Sequence, residues 1–330
     1  MNFKQLSFQP TDPEFDLFQR FPLEQKLSTH SEQLVNEHLL SCHLMLKGDQ
    51  VLGRFALYVN QALKYKGFPA ICIGAYACIV NEKVADHLLQ WALNLCAELG
   101  YDYCLGPMNG STWYPYRFST QATVNPFAMD LVNPLYYNKQ FKDAGFKSVA
   151  KYNSSVEKGK VSDHKSETDF EEHFNSKGIK VRNLDLENLE EELTKLGQFS
   201  NEAFQDNFLF TPIKIEKFIS NYSRLKRYMD ADFILIAENN KREICSMIFA
   251  LKDPQDCTDK TLIMKTIAAR KDYKYRGLTT FLSLRLMDQA RTKGYNRFIH
   301  ALMHEGNSSL RTSLKSGTTI NQYALYGKKI

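Results

Sequence analysis

Residues 270–280 read Arg270-Lys271-Asp272-Tyr273-Lys274-Tyr275-Arg276-Gly277-Leu278-Thr279-Thr280 and join an apolar run, Thr261 to Ala269, to an amphipathic segment, Leu278 to Lys293. The periodicity of the two flanks predicts a buried strand followed by a helix. The first turn of a helix has unpaired N–H groups and the positive end of the dipole, and both attract anions. Gly277 would let the backbone approach a bulky phosphate. The sequence therefore predicts an anion-binding loop at this helix start.

The charge of the loop narrows the choice of anion. Lys274 and Arg276 can neutralise phosphate, and an arginine can bind two oxygens at once. The best-fitting ligand is a pyrophosphate, and that of coenzyme A fits best. A second interpretation stays open, in which Arg270, Lys271, Lys274 and Arg276 are only a solvated charge run.

Size and composition limit the class of protein. The chain has 330 residues, 43% of them hydrophobic, which favours two domains with real cores. The net charge of +5 suits an anionic cofactor and is too weak to argue for nucleic-acid binding. The seven cysteines form no CxxC pair and no metal-ligand spacing, so we expect no metal. Reduced thiols, no signal peptide and no membrane-spanning run predict a cytoplasmic protein without a membrane partner.

The two halves of the chain share one plan. In each half an apolar strand (70–80 and 261–269) leads to a helix (83–99 and 278–293) that ends at Gly-Tyr before another strand. Gly294-Tyr295 follows Gly100-Tyr101 by 194 residues. A further helix is predicted near Asn133 and near Asn307, and hairpins are predicted within 40–65 and 233–251. We interpret the chain as a tandem duplication with domains at residues 1–156 and 170–330.

This order of elements and the loop together resemble the GNAT superfamily of N-acetyltransferases. The family signature, Arg/Gln-x-x-Gly-x-Gly/Ala, corresponds to Lys274-Tyr275-Arg276-Gly277-Leu278-Thr279, which keeps the glycine but begins with Lys and ends with Thr. The helix after Asn307 lacks the tyrosine that the family uses as a proton donor, whereas Asn133 to Phe146 is a closer match. The resemblance implies two tandem α/β (α+β) domains, each with a mixed, mostly antiparallel central sheet flanked by helices.

The resemblance also implies an activity, the transfer of an acyl group from acetyl-CoA to the amine of a small molecule or peptide by a monomer or homodimer. Backbone groups on the strand would bind the pantetheine arm and the oxyanion, the loop would bind the pyrophosphate, and Asn307 would contact the pantetheine. The residues expected to bind coenzyme A are Ile267, Ala268, Ala269, Lys274, Tyr275, Arg276, Gly277, Leu278, Thr279 and Asn307.

The remaining candidate site residues are predicted from their positions in the order of strands and loops. His304 and Glu305, with His300, are the base candidates near the next strand, and Tyr326 or Tyr323 on the last strand is the candidate proton donor. An insertion at residues 106–132 is expected either to form the acceptor pocket wall or to act as a lid between the halves. Its candidate substrate-binding residues are Trp113, Tyr116 and Arg117.

The first half departs from the signature at the corresponding place. Residues 80–85 contain no glycine and carry Glu82 where a phosphate would sit, so we predict that this half has lost coenzyme A binding. Other functions stay open at this point: a non-catalytic acyl-CoA-binding or regulatory module, a nucleic-acid binder that uses Arg224 to Arg227, and an aminoacyl transferase that uses charged tRNA.

Overall fold

The chain divides into two compact units. Unit 1 comprises residues 1–152, 208–211 and 321–330, and unit 2 comprises residues 153–207 and 212–320. The structure, a computed structural model, describes residues 3–21, 34–123, 125–158, 164–258, 260–307, 310, 313 and 317–330.

Unit 1 has strand pairings that, between described residues, are antiparallel except for one parallel pair. Its elements are β1 (Lys4–Phe8), α1 (Glu14–Arg20), β2 (Leu39–Lys47), β3 (Gln50–Tyr65), β4 (Phe68–Cys78), α2 (Glu82–Glu98), β5 (Tyr103–Gly106), β6 (Phe118–Ser119), α3 (Tyr136–Asp143), the first part of β7 (Lys147–Lys158) and most of β13 (Thr318–Lys329). Strands β1 to β5 follow one another in the sheet, with β4 parallel to β5, and β13 pairs antiparallel with β5. Helix α2 covers the core with one buried apolar stripe.

Unit 2 repeats this arrangement. Its elements are the end of β7, α4 (His164–Ser176), β8 (Lys180–Asn183), α5 (Leu189–Ala203), α6 (Ile215–Ser223), β9 (Ile234–Glu238), β10 (Ile244–Lys252), β11 (Thr261–Ala269), α7 (Leu278–Thr292) and β12 (Arg297–His304). Strands β8 to β11 are antiparallel neighbours, and β11 is parallel to β12. The predicted fold class, a mixed and mostly antiparallel sheet flanked by helices, is confirmed, as are the two predicted hairpins.

The helix facing the sheet in unit 2 follows the pattern expected from its sequence. Leu278, Phe281, Leu282, Leu286 and Ala290 are buried against the strands, and Gly294 at the end of α7 has a φ of 88°. The left-handed glycine ends the helix before β12, as it commonly does. The periodicity of the chain therefore predicted both the length and the buried face of α7.

The last strand was assigned to the second domain on sequence, but the structure places residues 321–330 in unit 1. There Tyr326 is paired with Gly106 and Lys329 with Tyr103. Strand pairing between residues this far apart in sequence leaves no local signal, which is why periodicity located the strand but not its partner. Residues 208–211, between α5 and α6, also belong to unit 1.

The helix predicted after Asn307 falls mainly outside the described residues. Within the described part of the chain, all seven cysteines are free, six of them are buried, and Cys257 is exposed. Across these same residues the side chains of His, Cys, Asp and Glu form no group suited to a metal ion. No helix in the described ranges combines the length and apolar character needed to cross a membrane.

Candidate functional site

The loop between β11 and α7 has a defined backbone. Asp272 accepts a hydrogen bond from the Lys274 N–H (3.0 Å) and caps a single 3-10 turn at Tyr273–Tyr275. Arg276 then adopts an extended conformation, and Gly277 is the N-cap of α7 with a φ of 89°. A positive φ of this kind is strained for most side chains, which explains the glycine.

Among the residues that the structure describes, no side chain caps the N-terminus of α7. The first helical hydrogen bond runs from the Phe281 N–H to the Gly277 carbonyl (3.0 Å). The N–H groups of Leu278, Thr279 and Thr280, which precede it, are the donors that a helix start leaves open. Three convergent donors and the positive end of the dipole are the elements of an anion site.

The structure separates the four cations of the loop into two groups. Arg270 is paired with Glu202, Lys271 with Asp206 (2.8 Å), and Lys274 with Asp272 (3.2 Å). Hydrogen bonds with Tyr275 and with Asp272 raise the pKa of Lys274. Arg276 is exposed and makes no ion pair with any described residue. The charge-run interpretation therefore fits three of these cations, whereas Arg276 is free to bind a ligand.

The sides of the loop are packed against unit 2. Tyr275 is buried, and its burial raises the pKa of its hydroxyl. The Phe170 ring of α4 packs beside Gly277, since a Cβ on that glycine would lie 3.4 Å from Phe170 Cε1. Tyr275 can thus contribute only its backbone to a ligand, and Phe170 covers one flank of the helix start.

Strands β11 and β12 separate next to this loop. Their parallel pairing runs from Thr261 with Arg297 to Met264 with His300 and extends no further. The Arg270 N–H donates to the Cys245 carbonyl of β10 (2.8 Å). Because successive N–H groups of a strand alternate in direction, those of Ile267 and Ala269 point away from β10, toward the diverging β12. The Ala268 N–H, which was also predicted to bind the donor, instead points toward β10, and a ligand-binding role for the Ile267 and Ala269 groups stays a prediction.

Strand β12 is bent where it separates. Leu302 has a φ of 58°, a strained value for a leucine, and its N–H donates to Ser154 Oγ (3.0 Å). Ser154 is fully buried on β7. This hydrogen bond gives the Leu302 N–H a buried partner outside the pairing of β12 with β11.

The base candidates lie along the same strand. His300 is on β12, with its Nε2 3.6 Å from Glu157 Oε2. His304 ends β12, and its Nδ1 accepts the Gly306 N–H (3.0 Å), so in the neutral ring Nε2 carries the proton. Glu305 is exposed directly after the strand, and the exposed Asn307 donates its N–H to the His304 carbonyl (3.0 Å).

The corresponding helix start in unit 1 is closed by its own side chains. Asn81 caps α2 by accepting the Val84 N–H (3.2 Å), and Glu82 is paired with Lys139 of α3 (2.7 Å). Gln140 and Tyr136 donate to the carbonyls of Ile79 and Cys78 at the end of β4.

A cavity of about 370 Å³ lies between α2 and α3 of unit 1. Its lining includes Glu82, Asp86 and Asp143, whereas Lys139 is its lone basic residue. Phosphates are repelled by such a lining. That the first half does not bind coenzyme A stays a prediction.

The tyrosines considered as proton donors are core residues of unit 1. The Tyr326 hydroxyl donates to Asn138 Oδ1 (2.8 Å), and the Tyr323 hydroxyl donates to Asp130 Oδ1 (2.5 Å). Both side chains are about 1% exposed, and burial raises the pKa of Tyr326. Their hydroxyls satisfy polar groups within this core, and a role for either tyrosine as proton donor stays a prediction.

The insertion residues are likewise engaged within unit 1. Trp113 Nε1 donates to the Thr211 carbonyl (2.8 Å). The Arg117 guanidinium lies over the rings of Tyr116 (3.8 Å) and Tyr152 (4.1 Å). Their predicted role in acceptor binding stays a prediction.

Comparison with solved structures identifies the fold. The glucosamine N-acetyltransferase region of a fungal multi-domain beta-N-acetylglucosaminidase aligns with a TM-score of 0.61 and 12% identity, over 99% of this chain but only 38% of that one. A tandem GNAT protein from the clavulanic acid biosynthesis pathway aligns at 0.57 and 8% identity, over 99% and 98% of the two chains. The fold is that of the GNAT N-acetyltransferases.

A GCN5-related N-acetyltransferase from Sphaerobacter thermophilus has the same GNAT fold, with a TM-score of 0.54 and 11% identity over 99% of this chain and 95% of that one. The sequence itself matches no protein-family model and no curated protein. At these identities the likeness concerns the fold, so the site must be argued from the residues of this chain.

Sequence reasoning missed one polar pair in unit 2. Lys265 Nζ donates to the Tyr222 hydroxyl (2.8 Å) and lies 4.3 Å from the centroid of its ring. The available signal was a charged residue inside an otherwise uncharged strand, Thr261 to Ala269, which was predicted as an apolar run. A lysine in such a run is unusual unless its ammonium has a partner.

Proposed function

We propose that this protein is an acyl-CoA-dependent N-acyltransferase, with acetyl-CoA as the donor and unit 2 as the active unit. The observation that carries the proposal is the start of α7, where Gly277 adopts a positive φ beside Arg276 and where the described residues provide neither a capping side chain nor an ion pair for Arg276. The N-acetyltransferases that share the fold support it as well.

The residues of the loop fit the pyrophosphate of coenzyme A. The N–H groups of Leu278, Thr279 and Thr280 would donate to phosphate oxygens, and Arg276 would neutralise charge. Gly277 keeps the backbone close to the ligand. We assign Lys274 a weaker role, because Asp272 already neutralises it.

The gap between β11 and β12 fits the thioester end of the donor. When bound, acetyl-CoA supplies an acyl group that is activated as a thioester. The Ile267 and Ala269 N–H groups point into the gap and are suited to bind the pantetheine amides and an oxyanion. Because the strands hold these donors in place, they cost little reorganisation during reaction.

The reaction forms one bond and breaks another. The acceptor nitrogen bonds to the acyl carbon, the carbon–sulfur bond breaks, and the sulfur leaves as a thiolate. A base must take the proton from the attacking amine. We retain Glu305, directly after β12, and His304, at its end, as proposed bases because both lie beyond the point where the pairing of β12 with β11 stops. His304 could act as a base only after its Nδ1 releases the Gly306 N–H.

Two measurements test the proposal. Coenzyme A should raise the melting temperature, because a ligand that binds only the native state stabilises it by about 2.7 kcal/mol at roughly 100 times Kd. Acetyl-CoA should then release free thiol in the presence of a panel of amines. An unchanged melting temperature at millimolar coenzyme A would refute the donor site.

A non-catalytic acyl-CoA-binding module is the second candidate. It is favoured by the burial of Tyr323 and Tyr326, because each hydroxyl already donates its proton to a side chain of the core, Asp130 or Asn138, and is therefore poorly suited as a proton donor. In that case coenzyme A would shift the melting temperature, but no amine would release thiol from acetyl-CoA.

A further inference from the structure

Lys265 occupies a β-bulge in the middle of β11. On the neighbouring strand Phe249 pairs with Thr266 and Ala250 pairs with Met264, so Lys265 has no partner on β10. It is also the single charged residue of β11. Bulges are frequent next to active sites, where they redirect a side chain.

The bulge directs two consecutive side chains toward α6. Lys265 Nζ donates to the Tyr222 hydroxyl, and Thr266 Oγ1 lies 3.5 Å from the same hydroxyl. Met264 belongs to the core under α7, and Ile267 packs against that core. Lys265 therefore lies on the face of the sheet opposite to α7.

The Lys265 ammonium is held by a rigid aromatic group. Tyr222 is buried, stacks on Phe218 with ring centroids 4.2 Å apart, and meets the edge of Phe249 at 5.2 Å. No carboxylate pairs with Lys265 among the residues that the structure describes. A half-buried cation whose partner is a neutral phenol remains able to bind an anion, because burial without a counter-charge is costly.

The position of Lys265 in β11 indicates a role in binding the acceptor. This step rests on the proposed function, in which the donor binds at the start of α7 and its thioester reaches the gap beside Ile267. The donor then occupies the α7 side of the gap, so the attacking amine must approach from the opposite face. Lys265 lies on that face, two residues before Ile267 in the same strand.

We propose that Lys265 binds a carboxylate of the acceptor, and that the acceptor class is therefore the amino acids, acylated on their own amine. The Tyr222 hydroxyl positions the ammonium, and a carboxylate would complete its hydrogen bonds. The ion pair would also orient the amine toward the gap, which is how binding groups accelerate acyl transfer.

The test compares amino acids with the amines that lack their carboxylate, such as leucine with 3-methylbutylamine and lysine with 1,5-diaminopentane. The unmodified protein should prefer the amino acid of each pair. Lys265→Met should lower kcat/KM for amino acids by about tenfold to a hundredfold, as expected for a lost charge-assisted hydrogen bond. The same variant should leave kcat/KM for the decarboxylated amines within about twofold.

Two further variants distinguish positioning of the Lys265 ammonium by Tyr222 from a general effect on the structure. Tyr222→Phe should raise KM for amino acids with little change in kcat, because it removes the hydroxyl that holds the ammonium. Lys217→Met, an exposed change on α6, is the control and should match the unmodified protein. The shift in melting temperature that coenzyme A causes should be the same in all four proteins.

A preference for decarboxylated amines, or an equal loss for both classes in Lys265→Met, would overturn the inference while leaving the acyltransferase proposal intact. Failure of the donor site would instead appear as no thermal shift with coenzyme A. Calorimetric titration of leucine in the presence of coenzyme A gives a readout that needs no turnover. Absence of both leucine binding and leucine turnover would likewise reject the assignment.

Discussion

Arg276 differs from its neighbours in what its charge contacts. The other three loop cations are neutralised by Glu202, Asp206 and Asp272, whereas Arg276 is exposed with no ion pair in the described part of the chain. A ligand phosphate would therefore gain most from this one guanidinium. An exposed ion pair already formed within the protein contributes little to binding and would have to be broken first.

Reversal of the Arg276 charge should abolish the binding of coenzyme A. We expect Arg276→Glu to remove the rise in melting temperature that coenzyme A causes, because a carboxylate would face the phosphates at the helix start. Glu82→Lys, the matched reversal in unit 1, should leave the rise unchanged. A large loss of affinity in Glu82→Lys, with Arg276→Glu unaffected, would mean that the donor site has been assigned to the wrong unit.

His43 is a buried neutral residue of unit 1. Ser7 Oγ lies 2.9 Å from Nδ1 and Ser41 Oγ lies 2.8 Å from Nε2, so both ring nitrogens have hydroxyl partners. The ring stacks on Phe55 with centroids 4.5 Å apart and meets Trp91 at 5.2 Å. Burial lowers the pKa of His43 from 6.5 to about 4.

The depressed pKa of His43 predicts an acid-sensitive stability. The unfolded chain takes up this proton near pH 6.5, whereas the folded chain resists it until about pH 4. Stability is therefore complete above pH 6.5 and falls as the pH drops toward 4, by up to about 3 kcal/mol. The measurement is the free energy of unfolding in urea at pH 7.5 and at pH 4.5.

Two variants test whether His43 causes this decrease in stability between pH 7.5 and pH 4.5. His43→Gln, which cannot titrate, should show a smaller decrease in stability between these pH values than the unmodified protein. His87→Gln, at an exposed position on α2, should behave like the unmodified protein. An identical pH dependence in His43→Gln would show that His43 does not govern the loss.

At the scale of single elements, α2 and α7 occupy corresponding positions in the two units, but their N-termini are capped differently. Asn81 fills the start of α2 with its own side chain, whereas Gly277 leaves the start of α7 open. An N-cap side chain stabilises a helix by roughly 0.5–2 kcal/mol, so a glycine there gives up part of that contribution. The open start of α7 is therefore better explained by a ligand than by helix stability.

The two ends of α7 offer a matched pair of glycines. Gly277 has a φ of 89° and Gly294 a φ of 88°, and an alanine at either position should cost about 1–2 kcal/mol. Only Gly277→Ala should also weaken coenzyme A binding, because relief of its strain would rotate Arg276 and the Gly277 N–H away from the helix start. Thermal unfolding with and without coenzyme A checks both effects, and equal ligand shifts in the two variants would contradict the expectation.

At the scale of the whole molecule, unit 1 is completed by the last segment of the chain. Residues 321–329 of β13 pair with β5 and with β6, and Tyr323, Ala324, Leu325 and Tyr326 are buried there. Three of these side chains are large, and removal of a large core side chain typically costs 2–5 kcal/mol. Their summed contribution is comparable to the total stability of a domain.

Deletion of residues 321–330 should therefore unfold unit 1. We expect the amides of β2 to β5 to lose their protection from hydrogen exchange in the truncated protein. A synthetic peptide of residues 318–330, added in excess, should restore that protection, whereas a scrambled peptide should not. Undiminished protection of these strands after truncation would show that unit 1 holds its fold without β13.

Sequence patterns predicted most of the elements because their signals are local. The period of apolar residues located α2 and α7, the turn residues located both hairpins, and Gly277 with its cations located the loop. Pairings over long distances in sequence were missed. The partners of Arg270, Lys265 and Tyr326 lie 68, 43 and 188 residues away, so no window along the chain contains both members.

By itself the sequence determined where the chain forms helices and strands, and where a glycine at a helix start could accept a phosphate, because these depend on neighbouring residues. The tertiary structure alone decided which acidic partners the loop cations Arg270, Lys271 and Lys274 find, which unit receives the last strand, and where Lys265 points. Those outcomes depend on contacts between distant segments, in which burial and charge pairing outweigh local preference.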